Sequence, residues 1–264
     1  MVMTDGPVDE VDAARKWQEL APLLDRMMER VDTDGEFPVS AGSALAGDDQ
    51  ASNPYQVSHV ARSCLATGVE HLHAVKVLVV DQGTLHPAAP WTLARVALET
   101  FSAAYWILQP AKRNERVTRA LRWHAQNMRD SEKATDALGV PGHVSLKSKL
   151  AKLDVVAAGR SLDARAARAG YTSTAAVTCA DRNEQDLPLG VLGPWRACSG
   201  FAHGRPWASL GLLNKVVKPT GESDVFTVRL TGSLGLTLYP TLAAMHLLER
   251  LLCLYDVRSR VHLA

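Results

Sequence analysis

The chain has 264 residues, 47% of them apolar, enough for one large domain with a real core and too apolar for a disordered polymer. Its 29 Lys and Arg stand against 28 Asp and Glu, so no molecule-wide field recruits nucleic acid or an anionic membrane, and any anion site must be local. The four cysteines, Cys64, Cys179, Cys198 and Cys253, have neither disulfide-framework nor zinc spacing and read as reduced thiols.

The first residues carry Asp5, Asp9, Glu10 and Asp12 and no apolar stretch, unlike a secretory signal. No run of 18 uncharged apolar residues follows, because the best candidate, Trp91 to Leu108, contains Arg95 and Glu99. A cytoplasmic protein without a membrane partner is expected.

Periodicity predicts an amphipathic helix over about Val8 to Val31, then a Gly/Asp/Ser/Ala-rich loop from Asp32 to Ser52. Asn53-Pro54 reads as an N-cap and first-turn pair for a helix to about Val80, stopped by Gly83 and Pro87. Two more helices are expected at about Pro90 to Gln109 and Arg113 to Leu138, the latter with Arg116, Arg119 and Arg122 on what reads as a solvated basic face able to hold phosphates. Residues 142–188 read as an irregular insertion, with one amphipathic turn set at Leu146, Leu150 and Leu153 and an Ala/Arg helix ending near Gly170.

A short helix at Pro194 to His203 comes next. The alternating runs Val225 to Leu230 and Leu234 to Leu238, bracketing Thr231-Gly232-Ser233, predict a β-hairpin. An apolar helix from about Pro240 to Arg258 closes the chain. The expected fold is all-α: a helical bundle over residues 53–264 with one small β-hairpin near the C-terminus and an irregular insertion, preceded by a helix and loop over 1–52.

The stretch Gly193-Pro194-Trp195-Arg196-Ala197-Cys198-Ser199-Gly200-Phe201-Ala202-His203-Gly204-Arg205 carries the most chemistry. Pro194 suits a first helical position and Gly204 a left-handed position just past the last. Arg196 and His203 lie seven residues apart, about two turns, so they share a helix face with Ser199 and Gly200. A guanidinium, a hydroxyl, a gap and an imidazole on one stripe suit chemistry on a phosphate, and equally a polar helix end.

Elsewhere, Arg95 and Glu99 form an i, i+4 pair on an otherwise apolar helix, which suits a structural ion pair or a polar group facing the site. Glu70 and His73 make a Glu-x-x-His, the spacing by which di-iron bundles place two ligands from one helix; Glu99 is the one obvious extra carboxylate, and the second copy of the motif is missing. There is no Gly-rich phosphate loop and no Gly-x-Ser-x-Gly elbow.

The Arg196 to His203 pattern, an Arg followed after six residues by His on a late helix of an all-helical bundle, resembles the HEPN superfamily, which includes bacterial ribonuclease toxins and abortive-infection proteins. The Ser199-Gly-Phe-Ala-His203-Gly204 ending is similar to that of bacterial members, whereas Ala197 stands where the family commonly has a polar residue. The resemblance implies metal-independent cleavage of RNA phosphodiesters with no cofactor, in a homodimer that brings two motifs together, with an antitoxin protein as a further partner.

In that reading His203 is the general acid or base, Arg196 neutralises the phosphate, Ser199 hydrogen-bonds it, Gly200 allows a close helix approach and Glu99 orients His203 or pairs with Arg196. Arg95, Arg119 and Arg205 are the candidate substrate-binding residues. The alternatives are a non-catalytic bundle binding a nucleotide, RNA or protein, and a di-iron enzyme using Glu70, His73 and Glu99.

Overall fold

The structure, a computed structural model, describes residues 9–261. Residues 1–8, with Asp5 of the acidic start and the Val8 expected to open the first helix, lie outside the described residues, as do residues 262–264. Eleven α-helices and one two-stranded antiparallel sheet occupy the described residues, so the chain is an all-α bundle with a small hairpin. The helices are α1 (Glu10–Asp32), α2 (Ala44–Ser52), α3 (Val57–Lys76, running on through a π-helical turn Val77–Asp81), α4 (Ala89–Leu108), α5 (Arg113–Ala137), α6 (Leu146–Gly159), α7 (Ala164–Arg168), α8 (Ser173–Asn183), α9 (Leu192–Ala202), α10 (Pro206–Leu212) and α11 (Leu234–Ser259); the strands are β1 (Asn214–Pro219) and β2 (Phe226–Thr231).

Four expectations need correction. The 32–52 loop contains α2, whose N-cap Ser43 accepts from the Ala46 amide. Asn53 ends α2 rather than opening α3, and the Asn53-Pro54 bond is cis. The 142–188 insertion is largely helical, built of α6, α7 and the whole of α8, with Ser145 and Asp163 as side-chain N-caps of the first two. The hairpin lies upstream of its expected place: Val225 to Leu230 does supply a strand, but its partner is β1, and Leu234 to Leu238 is the first turn of α11.

One helical segment, Val57–Asp81, has the length and composition to cross a membrane. Val60, Leu65, Val69, Leu72 and Val75 on it are buried inside the protein.

The chain divides into two compact units. One comprises Met1–Glu36, Leu65–Phe101 and Asp181–Glu249. Its core gathers Trp17 and Leu24 of α1, Val69 and Leu72 of α3, Leu98 and Phe101 of α4, and Leu247 of α11. Gly68 makes the α3–α4 packing possible, since a β-carbon there would lie 2.2 Å from the Phe101 ring. Trp17 Nε1 donates to Leu234 O and to Thr237 Oγ1, pinning α1 to the start of α11.

The other unit comprises Phe37–Cys64, Ser102–Ala180 and Arg250–Ala264. Here the arginines expected to form a solvated basic face are spent on structure. Arg116 is buried, its Nε and Nη2 on the two Asp48 oxygens at 2.6 and 2.9 Å, and its Nη1 on the Pro110 and Ala111 carbonyls. Arg119 donates to Trp106 O, and Arg258 donates to the carbonyls of Leu108, Gln109 and Pro110. Three guanidiniums therefore satisfy carbonyls at and just beyond the C-terminal end of α4, where helical partners run out and cations are favoured.

Candidate functional site

α9 is fixed in the first unit by its apolar face. Trp195 Nε1 donates to Glu99 Oε1 at 2.8 Å, and Phe201 stacks on Trp91 with ring centroids 4.5 Å apart, so α9 runs antiparallel to the first half of α4. Cys198 lies between them, fully buried, and burial pushes its thiol far up, which leaves it protonated and inert. The α9 N-terminus is capped from a distance: Asp181 Oδ1 accepts from the amides of Val191 and Leu192 at 2.9 and 3.0 Å. Pro194 accordingly occupies the third helical position rather than the first, one of the positions whose amide has no helical acceptor, so proline costs no hydrogen bond there.

The opposite face carries the stripe. Arg196 and His203 are exposed and Ser199 is half-buried, and none of the three side chains makes an ion pair or hydrogen bond among the described residues. His203 is the C-cap, its backbone N–H bonding Ser199 O and Phe201 O, and Gly204 follows at φ +59° as the helix stop requires. Arg205, also exposed, is the N-cap residue of α10, with Pro206 at the first helical position.

Gly200 does permit a close approach, but by the chain's own α10. A β-carbon there would lie 2.6 Å from both the Trp207 ring and the Ala208 methyl. The gap is filled within one copy and gives no reason to place a second copy there. Trp207 nevertheless remains 57% exposed, so an open indole lies beside the stripe of Arg196, Ser199 and His203, with its Cζ2–Cη2 edge against Gly200.

The remaining candidates are placed elsewhere. Glu99 neither orients His203 nor pairs with Arg196: its Oε1 takes both the Trp195 indole and Arg95 Nη2, each at 2.8 Å, on the buried side of α9. Arg95 is committed to that pair, and its Nε is buried without an acceptor. Arg119 belongs to the second unit, where its guanidinium also lies 5.2 Å from the Trp106 ring centroid. Glu70 is exposed, and His73 Nε2 sits 3.1 Å from Asp25 Oδ1, which also holds Lys76. Among the described residues no group of three or more His, Cys, Asp or Glu is placed to hold a metal ion.

Three side chains that organise the site escaped the sequence reading. Trp195 finds its partner 96 residues away, and Asp181 reaches amides 10 and 11 residues on, too far for a helix-cap signal to mark it. Trp207 did carry a signal, a Pro-Trp pair directly after a Gly helix stop. Compared with known proteins, the chain matches no family model, no curated protein and no solved structure.

Proposed function

We propose that the outer stripe of α9 is a phosphate-directed RNA site and that the protein is a metal-independent, HEPN-like endoribonuclease. The observation that carries this reading is the division of labour on α9: Trp195, Cys198 and Phe201 hold the helix in place, while Arg196, Ser199 and His203 are left exposed or half-buried with no structural partner. Unspent polar groups on a well-anchored helix are what binding to an external ligand requires.

In the reaction, the His203 imidazole takes the proton of a ribose 2′-hydroxyl, O2′ attacks phosphorus, and the P–O5′ bond breaks to give a 2′,3′-cyclic phosphate and a 5′-hydroxyl. The His203 imidazolium formed in that step returns the proton to O5′ as it leaves. Arg196 spans the non-bridging oxygens with its planar fork of donors as their charge grows, and Ser199 donates to the same phosphate. Trp207 offers a face on which an unpaired base stacks, and Arg205 a second cation for the adjoining phosphate.

The test is cleavage of single-stranded RNA in the presence of a chelator. His203→Ala is expected to lose about 10²–10⁴-fold in rate with unfolding temperature unchanged, because the side chain touches nothing structural. Retained cleavage by folded His203→Ala overturns the reading. Activity abolished by the chelator and restored by iron would move the chemistry to Glu70 and His73.

The commitment of Glu99 to Trp195 and Arg95 favours a second reading, since among the described residues no carboxylate pairs with the imidazole. The site then binds RNA without cutting it. The wild-type protein would bind RNA and leave it intact, and Arg196→Ala would release it.

A further inference from the structure

The hairpin gives almost nothing to the core, although Lys215 Nζ at its start donates to Leu210 O of α10 at 3.0 Å. Every residue of β1 is exposed, and so is every residue of β2 except half-buried Leu230. Neither strand has a third partner among the described residues. A lone two-stranded ribbon without core contacts is marginal in water, so this one is suited to being completed from outside.

Its register separates two faces. Val217 pairs with Val228, Lys215 with Leu230 and Pro219 with Phe226, so these six side chains point to one side. That side is apolar but for Lys215, with Phe226 59%, Val217 52% and Val228 36% exposed. The two edges differ as well. The β1 edge carries Lys215, Lys218 and Pro219, the residues that blunt pairing with a further strand. The β2 edge reads Phe-Thr-Val-Arg-Leu-Thr, with no Lys and no Pro and almost entirely strand-favouring.

We propose that a second copy of this chain occupies that edge: the two β2 strands pair antiparallel about a two-fold axis at Val228 and form a four-stranded sheet. The occupant is argued from self-complementarity. With Val228 opposite its own copy, Phe226 falls opposite Leu230 and Thr227 opposite Arg229, so apolar meets apolar on one face and no like charges meet. Sliding the axis to Arg229 sets two guanidiniums face to face. A slip to the register between them turns the apolar face of one copy toward the polar face of the other. An acidic extended peptide would instead choose the β1 edge, beside Lys215 and Lys218. The pairing is independent of the RNA site, since it uses none of Arg196, Ser199, His203 or Trp207.

The experiment measures mass by light scattering on the full chain from about 1 to 100 μM. Twice the 28.6 kDa chain mass is expected for the wild-type protein. Val228→Lys places two ammonium groups opposite each other at the axis and is expected to weaken association at least about tenfold, with the helical circular dichroism unchanged.

In a Cys253→Ser background, Val228→Cys is expected to form an intermolecular disulfide on mild oxidation. Directly opposed strand residues lie about 4.5–5.5 Å apart at Cα, within disulfide reach, whereas Val216→Cys on the other strand should not cross-link. A wild-type protein monomeric throughout the range overturns the proposal. So does a Val228→Lys dimer as tight as wild type, or cross-linking equal at positions 216 and 228. Should Val228→Lys fail to fold, the cysteine pair decides.

Discussion

Asp48 has no exposed surface, and Arg116 meets both of its oxygens while Arg113 Nε reaches one of them at 3.3 Å. Removing one member of such a pair strands the other, so Asp48→Ala should lose about 3–5 kcal/mol in urea unfolding. Asp48→Leu combined with Arg116→Met should recover part of that loss, because two apolar groups carry no desolvation debt. A loss below about 1 kcal/mol for the single variant would show that the pair does not hold this unit. His124 offers the pH counterpart. It packs against Tyr55 with ring centroids 5.0 Å apart, its Nε2 is buried without a partner, and burial pushes it down to about 4. The unfolded chain takes up that proton near pH 6.5 and the folded chain only near 4, so its share of stability is full above about 6.5 and is lost as pH falls between the two. The loss amounts to about 3 kcal/mol, and His124→Phe, compared with wild type at both ends of that window, should remove this part of the slope. The Asp48 partnership spans 68 residues of chain, and nothing local marks it.

At the scale of elements, legibility followed the range of the deciding contact. α1, α4 and α5 end close to where their periodicity, Pro and Gly signals put them, because those signals act within a turn of the boundary. The run Leu234 to Leu238 alternates like a strand yet folds as helix. Glu10 Oε2 accepts from the Leu234 amide across 224 residues, Ser233 Oγ accepts from Leu236, and the Trp17 indole fastens Leu234 and Thr237, so tertiary capping overrides local alternation. Pro240 fits inside α11 near its N-terminal end, only one turn beyond the capped amides. The arginines of α5 misled for the same reason. A basic stripe in sequence looks the same whether it faces water or the carbonyls at the end of another helix. At α9 the helical spacing put Arg196, Ser199 and His203 on a face that is exposed or half-buried, but Gly200 on the same stripe is covered by α10. That spacing could not show that Glu99 turns to an indole.

For the whole molecule, a formal charge of +1 means that the proposed RNA site has to work through a few placed cations and not through a broad field. Single-stranded binding loses about 0.7 in log affinity per log unit of salt for each phosphate neutralised, so Arg196 and Arg205 together predict a shallow slope near about −1.4. Fluorescence anisotropy of an unstructured RNA between about 50 and 200 mM salt measures it, and Arg196→Ala should flatten the slope by about 0.7. A slope steeper than about −5 would require a basic surface that the balanced composition does not supply. Four of the five boundaries between the two compact units fall inside α3, α4, α8 and α11, where helix signals run on without a break, so composition gave no hint of them; the fifth lies in the loop after α1.

The Trp207 ring against Gly200 also makes the stripe optically addressable. Of the six tryptophans, Trp17, Trp91, Trp106 and Trp195 are buried and Trp123 is half-buried, which leaves Trp207 as the one indole open to solvent. Collisional quenchers such as acrylamide therefore act mainly on Trp207, and the red edge of the protein's emission belongs to it. Any ligand that settles on the outer face of α9 announces itself in unlabelled protein as a loss of that quenching, and the signal comes from within one residue's width of the proposed chemistry.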